Sequence, residues 1–208
     1  VTSDNQNDGQ QTLLNPWKEN KNLIAICAGS NLNNSVAPPP NIAKKQVGYV
    51  DLFDDKPQTQ NQDDTIRRYL LSRSPNPITN ASRCEASYSF AWQLIYRYFK
   101  SKQIPVTTID KNWQFGDTVI TRLEPRSGGY QNLDASGNQL LINYRTTPTI
   151  AQQVTIGDIL ENSNNFNPDW VKNRIVLIGI TATSIRDIHD TPQGEIRGLF
   201  VHAHAISQ

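Results

Sequence analysis

The chain has 208 residues, enough for one domain of ordinary size or two small ones, and 37% are hydrophobic, so a core can form. Its 20 Lys and Arg residues and 19 Asp and Glu residues give a net charge of +1, which argues against a general nucleic-acid binder. No apolar run approaches the length that a membrane helix requires, and residues 1–11 lack the basic start and apolar middle of a signal peptide.

The first third of the chain predicts a flexible lead followed by strands. Residues 1–22 are polar and show no periodicity, so we expect them to form a flexible lead. Residues 22–29 are a short apolar run ending at a glycine, which is typical of a buried strand. Residues 47–53 and 66–72 are two more strand-like runs around a polar loop, and they predict an antiparallel hairpin.

The clearest helix is predicted over residues 86–102, where apolar side chains recur at spacings of three and four. Asn80 or Ser82 is the expected N-cap, and Pro105 lies beyond the expected end. Further along, Thr155 is followed three residues later by Asp158, which predicts the capped start of a second, short helix.

The second half of the chain also predicts strands, at residues 117–123 and 139–145. Residues 174–180 are the most convincing buried strand, because their β-branched density suits a central position in a sheet. The tail from residue 199 begins a further strand or helix. Together these elements predict an α/β fold: one domain with a mixed β-sheet flanked by helices, including at least one antiparallel hairpin.

Two cysteines, Cys27 and Cys84, are too few for a four-thiolate metal site and too far apart for a redox pair. They either form a disulfide in an exported protein or are two buried thiols that never meet. The residues alone leave both interpretations open.

All three histidines, His189, His202 and His204, lie in the last 20 residues, close to Asp187. On a strand, His202 and His204 would share one face, which a metal site requires, so a metal-dependent hydrolase using these four residues is one interpretation. No metal-binding motif supports the spacing. In the alternative, His202 is hydrogen-bonded within the fold and His204 lies on the surface, and we expect neither a metal nor a cofactor.

Five aspartates between residues 51 and 64 do not follow the spacing of a calcium-binding loop. We expect them to lie in a solvated loop, where they partly neutralise Arg67 and Arg68.

Several phrases of the sequence, taken in order, resemble one known family. They are residues 48–51, 63–68, 89–90, 129–130, 141–145, 174–179, Asp187, Thr191, Pro192, Gly198 and 201–203. Their order resembles the type-two CHASE domain, an extracellular sensory domain associated with cyclases and histidine kinases. The resemblance runs from about Leu23 to the C-terminus, and its tail, RIVLIG…D…TP…G…HA, is its most specific part.

The resemblance implies a non-enzymatic module outside the membrane, in the periplasm or the extracellular space. Such a module is the input domain of a transmembrane receptor. It detects an unknown small-molecule or protein stimulus and relays it through its own transmembrane helices to a cytoplasmic output domain. A homodimer fits this arrangement, and nucleic acid is not an expected partner. A third interpretation, beside the sensor and the hydrolase, is a surface protein-interaction domain.

Family members usually carry a further strand–helix–strand section before the segment that matches Leu23. We therefore expect residues 23–208 to be the C-terminal portion of the family domain. In that case part of the sheet lacks its neighbours, and an exposed edge is free to pair with another chain.

The motifs supply the candidate site residues. Those proposed for ligand contact are Arg67, Arg68, Tyr144, Arg145, Asp187 and His202. Their more common role is arginine–carboxylate pairing and loop closure, whereas paired arginines that bind a ligand would favour an anion. Those proposed as structural are Asp64, Gly179, Thr191, Pro192 and Gly198. An exported setting also favours the Cys27–Cys84 disulfide.

Overall fold

The structure is a computed structural model that describes residues 19–29, 35–55, 64–74, 83–147, 149–161, 166–182 and 184–208. Most of the predicted flexible lead lies outside these ranges, as do the two proposed caps, Asn80 and Ser82. The chain divides into two compact units. Unit 1 comprises residues 1–53 and 68–141, and unit 2 comprises residues 54–67 and 142–208.

Unit 1 holds the longest described helix and three small sheets. Its elements are β1 (Ala25–Cys27), a 3-10 turn (Lys44–Gln46), β2 (Val47–Tyr49), β3 (Arg68–Ser72), α1 (Phe90–Ser101), β4 (Val106–Ile109), β5 (Asn112–Phe115), β6 (Thr118–Ile120) and β7 (Asn138–Leu141). Strands β1 and β2 are parallel, β3 and β7 are antiparallel, and β4, β5 and β6 form an antiparallel meander.

The predicted hairpin between residues 47–53 and 66–72 is wrong. Strand β2 pairs in parallel with β1, and β3 pairs with the distant β7. Both strands are present near their predicted positions, but packing between segments far apart in sequence decides their partners.

Helix α1 begins at Phe90 rather than at residue 86. The two residues before it are still extended, since Tyr88 bridges to Ser72 and Ser89 bridges to Tyr49. Ser89 then caps the helix, and its Oγ accepts a hydrogen bond from the Trp92 backbone N–H at 3.1 Å.

The first turn of α1 packs directly on the backbone of β2. A Cβ atom at Gly48 would lie 2.5 Å from Phe90 Cα, so only a glycine allows this approach. The first turn of the helix is buried, and within it Trp92 packs closely against Trp113 of β5, with ring centroids 4.0 Å apart.

The predicted disulfide between Cys27 and Cys84 is confirmed. The bond joins the end of β1 to the segment before α1, with Cα atoms 5.3 Å apart, and both cysteines are buried. They form a core cluster with Val47 and Tyr49.

A buried ion pair lies next to this cluster. Asp51 Oδ2 accepts a hydrogen bond from Arg73 Nη1 at 3.1 Å, and the Asp51 side chain is only 1% exposed. Asp51 Oδ1 accepts from the backbone N–H of Gly29, and the Arg73 guanidinium lies 4.3 Å from the ring centroid of Tyr49. The expectation of a solvated aspartate loop is therefore wrong for Asp51.

Unit 2 contains two helices and one hairpin in its described part. Its elements are α2 (Ile156–Leu160), a 3-10 turn (Pro168–Val171), β8 (Ile188–Thr191), β9 (Gly194–Arg197) and α3 (Gly198–Ser207). The predicted capping box of α2 is confirmed, with Thr155 Oγ1 accepting from the Asp158 backbone N–H at 3.1 Å. The tail is a helix, and β8 and β9 form an antiparallel hairpin. The mixed α/β class is confirmed.

The predicted buried strand at residues 174–180 is wrong. The segment belongs to no strand, and Val176, Ile178 and Ile180 are 49%, 85% and 60% exposed. The opposite side faces α3, since a Cβ atom at Gly179 would lie 2.9 Å from Leu199 Cδ1. The side chains thus alternate as in a strand, but no partner strand pairs with them among the described residues. Residue preference alone does not make a strand.

Candidate functional site

The first part of the candidate site ties the segment after β7 to the end of α3. The Tyr144 hydroxyl donates to the Ile66 carbonyl at 2.8 Å, and its ring centroid lies 5.0 Å from that of His204. The backbone N–H of Arg145 donates to His204 Nδ1 at 3.3 Å, and its guanidinium donates to the Ser207 carbonyl. Burial raises the pKa of Tyr144, so its phenol stays neutral and donates to the backbone.

The second part of the candidate site surrounds the start of α3. The backbone N–H of Gly198 donates to the Asp187 carbonyl, and a Cβ atom at Gly198 would lie 2.5 Å from Asp187 Oδ1. His189 Nε2 lies 2.9 Å from the same carboxylate oxygen. Glycine at position 198 therefore gives the carboxylate the space to lie against the first turn of the helix.

His202 lies one turn further along α3 and is buried. Burial lowers its pKa from 6.5 to about 4, while the nearby Asp187 carboxylate opposes this shift and His189 adds to it. His202 is therefore neutral at neutral pH, which favours a role in packing and hydrogen bonding.

We expect His202 to make the protein less stable in mild acid. Its folded-state pKa lies below 6.5, so the unfolded chain binds more protons between about pH 6.5 and about 4. Stability should fall as the pH falls through this window, by up to about 1.4 kcal/mol per pH unit for one proton. Side-chain NMR titration measures the folded-state pKa of His202, on which this change in stability depends. A peptide spanning residues 198–208, in which His202 should titrate near its ordinary pKa, is the control. A midpoint near 6.5 in the folded protein would contradict the assignment.

The metal interpretation required His202 and His204 to lie on a strand, but both lie on α3. Residues two apart on a helix point in directions about 200° apart, so the two imidazoles do not share a face. His204 is buried against Tyr144, so the expectation that it lies on the surface is wrong, whereas His202 lies near Asp187. Among the described residues, no group of three or more His, Cys, Asp or Glu side chains is arranged to hold a metal ion.

The two motif arginines have separate partners. Arg67 Nη1 lies 3.3 Å from Asp55 Oδ2, which fits the expected neutralisation by a neighbouring aspartate. Arg68 Nη1 donates to Gln139 Oε1 at 2.5 Å, and its guanidinium lies 5.9 Å from the ring centroid of Tyr130. Both arginines thus make contacts within the fold.

The remaining motif residues lie in turns or at the surface. Thr191 Oγ1 donates to the Gly194 carbonyl at 2.6 Å and accepts from the Gln193 backbone N–H, which closes the β8–β9 turn around Pro192. Asp64 is exposed.

Unit 1 contains a cavity of about 360 Å³ that the sequence motifs did not predict. Its lining includes Arg73, Arg122, Tyr88 and Trp113, none of which belongs to a family-like phrase. These residues come from four separate segments, so no local pattern brings them together.

A family model described as "CHASE2 domain" matches residues 1–208, the whole chain. The match therefore begins before Leu23, where the resemblance in the motifs begins. No curated protein and no solved structure matches the chain. Every helix in the described ranges is too short or too polar to cross a membrane.

Proposed function

The chain belongs to the CHASE2 domain family, which comprises extracellular sensory domains of signalling receptors, and from this we propose that it is the extracytoplasmic input domain of a transmembrane receptor. It detects a stimulus outside the membrane and passes it through the receptor's own membrane helices to a cytoplasmic output domain, in a receptor that acts as a homodimer. The match over all 208 residues carries this proposal.

The disulfide supports the proposed location. It lies in the core of unit 1, where both cysteines are buried. Disulfides persist in oxidising compartments such as the periplasm and the extracellular space, and they are rare in the cytosol.

Helix α3 is the proposed relay element. Residues 201–205 are all buried, and contacts hold both ends of the helix: Asp187 at its start and Arg145 near its end. A stimulus that binds more tightly when α3 is in one of two positions would shift the whole helix towards that position. Only this difference in binding free energy is passed to the output domain.

The test is made in the full-length receptor. Arg145→Gln removes the guanidinium that donates to the Ser207 carbonyl, and we expect it to change basal output activity by at least about threefold. The matched control is Arg126→Gln, which removes the same charge at an exposed position in unit 1.

The location is tested in the same cells. Because Cys27 and Cys84 are buried, the reporter is a cysteine introduced by Lys111→Cys at an exposed position, and it should react with a membrane-impermeant maleimide on intact cells. A reporter that reacts only with a membrane-permeant reagent would overturn the proposed location. Equal outputs from the Arg145→Gln and Arg126→Gln receptors would overturn the relay through α3.

A further inference from the structure

The cavity of unit 1 is lined mainly by groups that donate hydrogen bonds. Its lining includes the guanidinium groups of Arg73 and Arg122, the hydroxyls of Ser72 and Ser87, and the amide of Asn138. None of the described residues that line it is an aspartate or a glutamate. A volume of about 360 Å³ lies at the lower end of the range for small-molecule sites.

The two arginines that line the cavity differ in the partners of their guanidinium groups. Arg73 is paired with the buried carboxylate of Asp51. Arg122 Nη2 donates to the Ala135 carbonyl at 3.1 Å, and no carboxylate of the described residues lies within ion-pair distance of its guanidinium. Within the described ranges, the positive charge of Arg122 at the cavity wall therefore has no carboxylate partner.

The aromatic residues give the cavity a flat apolar side. Tyr88 and Trp113 both line it, and Tyr88 is 41% exposed. The indole Nε1 of Trp113 is shielded from solvent and has no hydrogen-bond partner among the described residues. A buried donor without a partner is unfavourable, which marks Trp113 as a residue whose surroundings in this unit are incompletely satisfied among the described residues.

We propose that this cavity binds a small organic anion, with a carboxylate or phosphate group held by Arg122 and a flat apolar body packed against Tyr88 and Trp113. A guanidinium binds both head groups through paired, charge-assisted hydrogen bonds. Asn138 Nδ2 donates to Ser72 Oγ at 2.6 Å, which leaves the Ser72 and Ser87 hydroxyl hydrogens as neutral donors for the head group. This inference goes beyond the proposed sensory role, because binding is measured on the chain alone and needs no relay.

Four probes separate the contributions of head group and body. Benzoate and phenyl phosphate carry both, benzamide has the ring without the charge, and inorganic phosphate has the charge without the ring. We expect calorimetry to give a Kd of about 1 mM or tighter for benzoate, phenyl phosphate or both, and binding at least about tenfold weaker for benzamide and inorganic phosphate. The indole N–H resonance of Trp113, assigned from a Trp113→Phe sample, should shift during the titration.

Two variants test the residues, each beside a control with the same charge change. Arg122→Gln should raise the Kd at least about tenfold, and Arg126→Gln, at an exposed position, should leave it unchanged. Asn138→Asp places a negative charge in the cavity with almost no change in shape and should also abolish binding, whereas the exposed Asn132→Asp should not. Circular dichroism without probe confirms that each variant is folded.

The results that would overturn the proposal are equally specific. They are no binding of benzoate or phenyl phosphate at about 10 mM, equal binding of benzamide, or a loss in the control variants as large as in the cavity variants. Binding of benzoate alone or of phenyl phosphate alone supports the proposal and identifies the head group. A failed relay test in the full-length receptor would leave these results unaffected.

Discussion

Reduction of the Cys27–Cys84 disulfide should lower the free energy of unfolding by about 4 kcal/mol. The cysteines are 57 residues apart in sequence, so the bond closes a long loop in the unfolded chain, and the loop-entropy relation gives that value. Because the bond lies in a core cluster with Val47 and Tyr49, opening it also removes the covalent link that holds β1 to the segment before α1. Urea unfolding with and without a phosphine reductant measures the difference.

A double variant, Cys27→Ala with Cys84→Ala, provides the control. Its free energy of unfolding should match that of the reduced protein within about 1 kcal/mol, apart from the cost of the smaller side chains, and should not respond to reductant. Equal midpoints for the oxidised and reduced protein would show that the bond contributes nothing to stability.

Asp51→Asn should destabilise the protein by about 3–5 kcal/mol. The substitution leaves the guanidinium of Arg73 without its buried carboxylate, and removing one partner of a buried ion pair has a cost of that size. The Arg73 side chain, which is 22% exposed, also contacts Tyr49 and the carbonyls of Cys84 and Ala86. Chemical denaturation of the two oxidised proteins gives the value.

The matched control breaks an exposed ion pair instead. Lys44 Nζ lies 2.7 Å from Glu85 Oε2, closer than the buried pair, but both side chains are largely exposed. Lys44→Ala should therefore leave stability unchanged within error. Asp51→Asn combined with Arg73→Leu should recover part of the loss, since it removes the orphaned charge. An Asp51→Asn protein as stable as the original would show that the pair is not a structural contact.

Local signals in the sequence predicted local structure well. Thr155 and Asp158 satisfy each other across one helical turn, so three residues of context were enough to place the start of α2. The apolar spacing of α1 was equally local, and it located the helix but not its first residue. Residues 86–89 continue the helical pattern, yet Tyr88 and Ser89 bridge to β3 and β2, a contact that no local pattern records.

Strand pairing depended on residues far apart in sequence. The runs at 47–53 and 66–72 were recognised, but their partners were not, because the partner of β3 lies about 70 residues further along the chain. Residues 174–180 show the limit most clearly. Their β-branched composition indicates a strand, but forming one requires a neighbouring edge, which the composition of a single segment does not specify.

The candidate sites also differ in whether sequence motifs include their residues. The motif residues Tyr144 and Arg145 contact the end of α3, and the motif residue Asp187 lies against its start. The cavity around Arg122 escaped prediction because its lining comes from separate segments. A site whose residues come from distant segments of the chain can be recognised only in the folded structure.

The Trp92–Trp113 pair gives unit 1 an optical reporter of its own. Two indole rings 4.0 Å apart and inclined by 40° couple their ultraviolet transitions, so their combined signal depends on the geometry between α1 and β5. Trp113 also lines the cavity, and Trp92 belongs to the first turn of the helix that packs on β2. Near-ultraviolet circular dichroism therefore follows, without any added label, both the folding of this unit and the occupancy of its cavity.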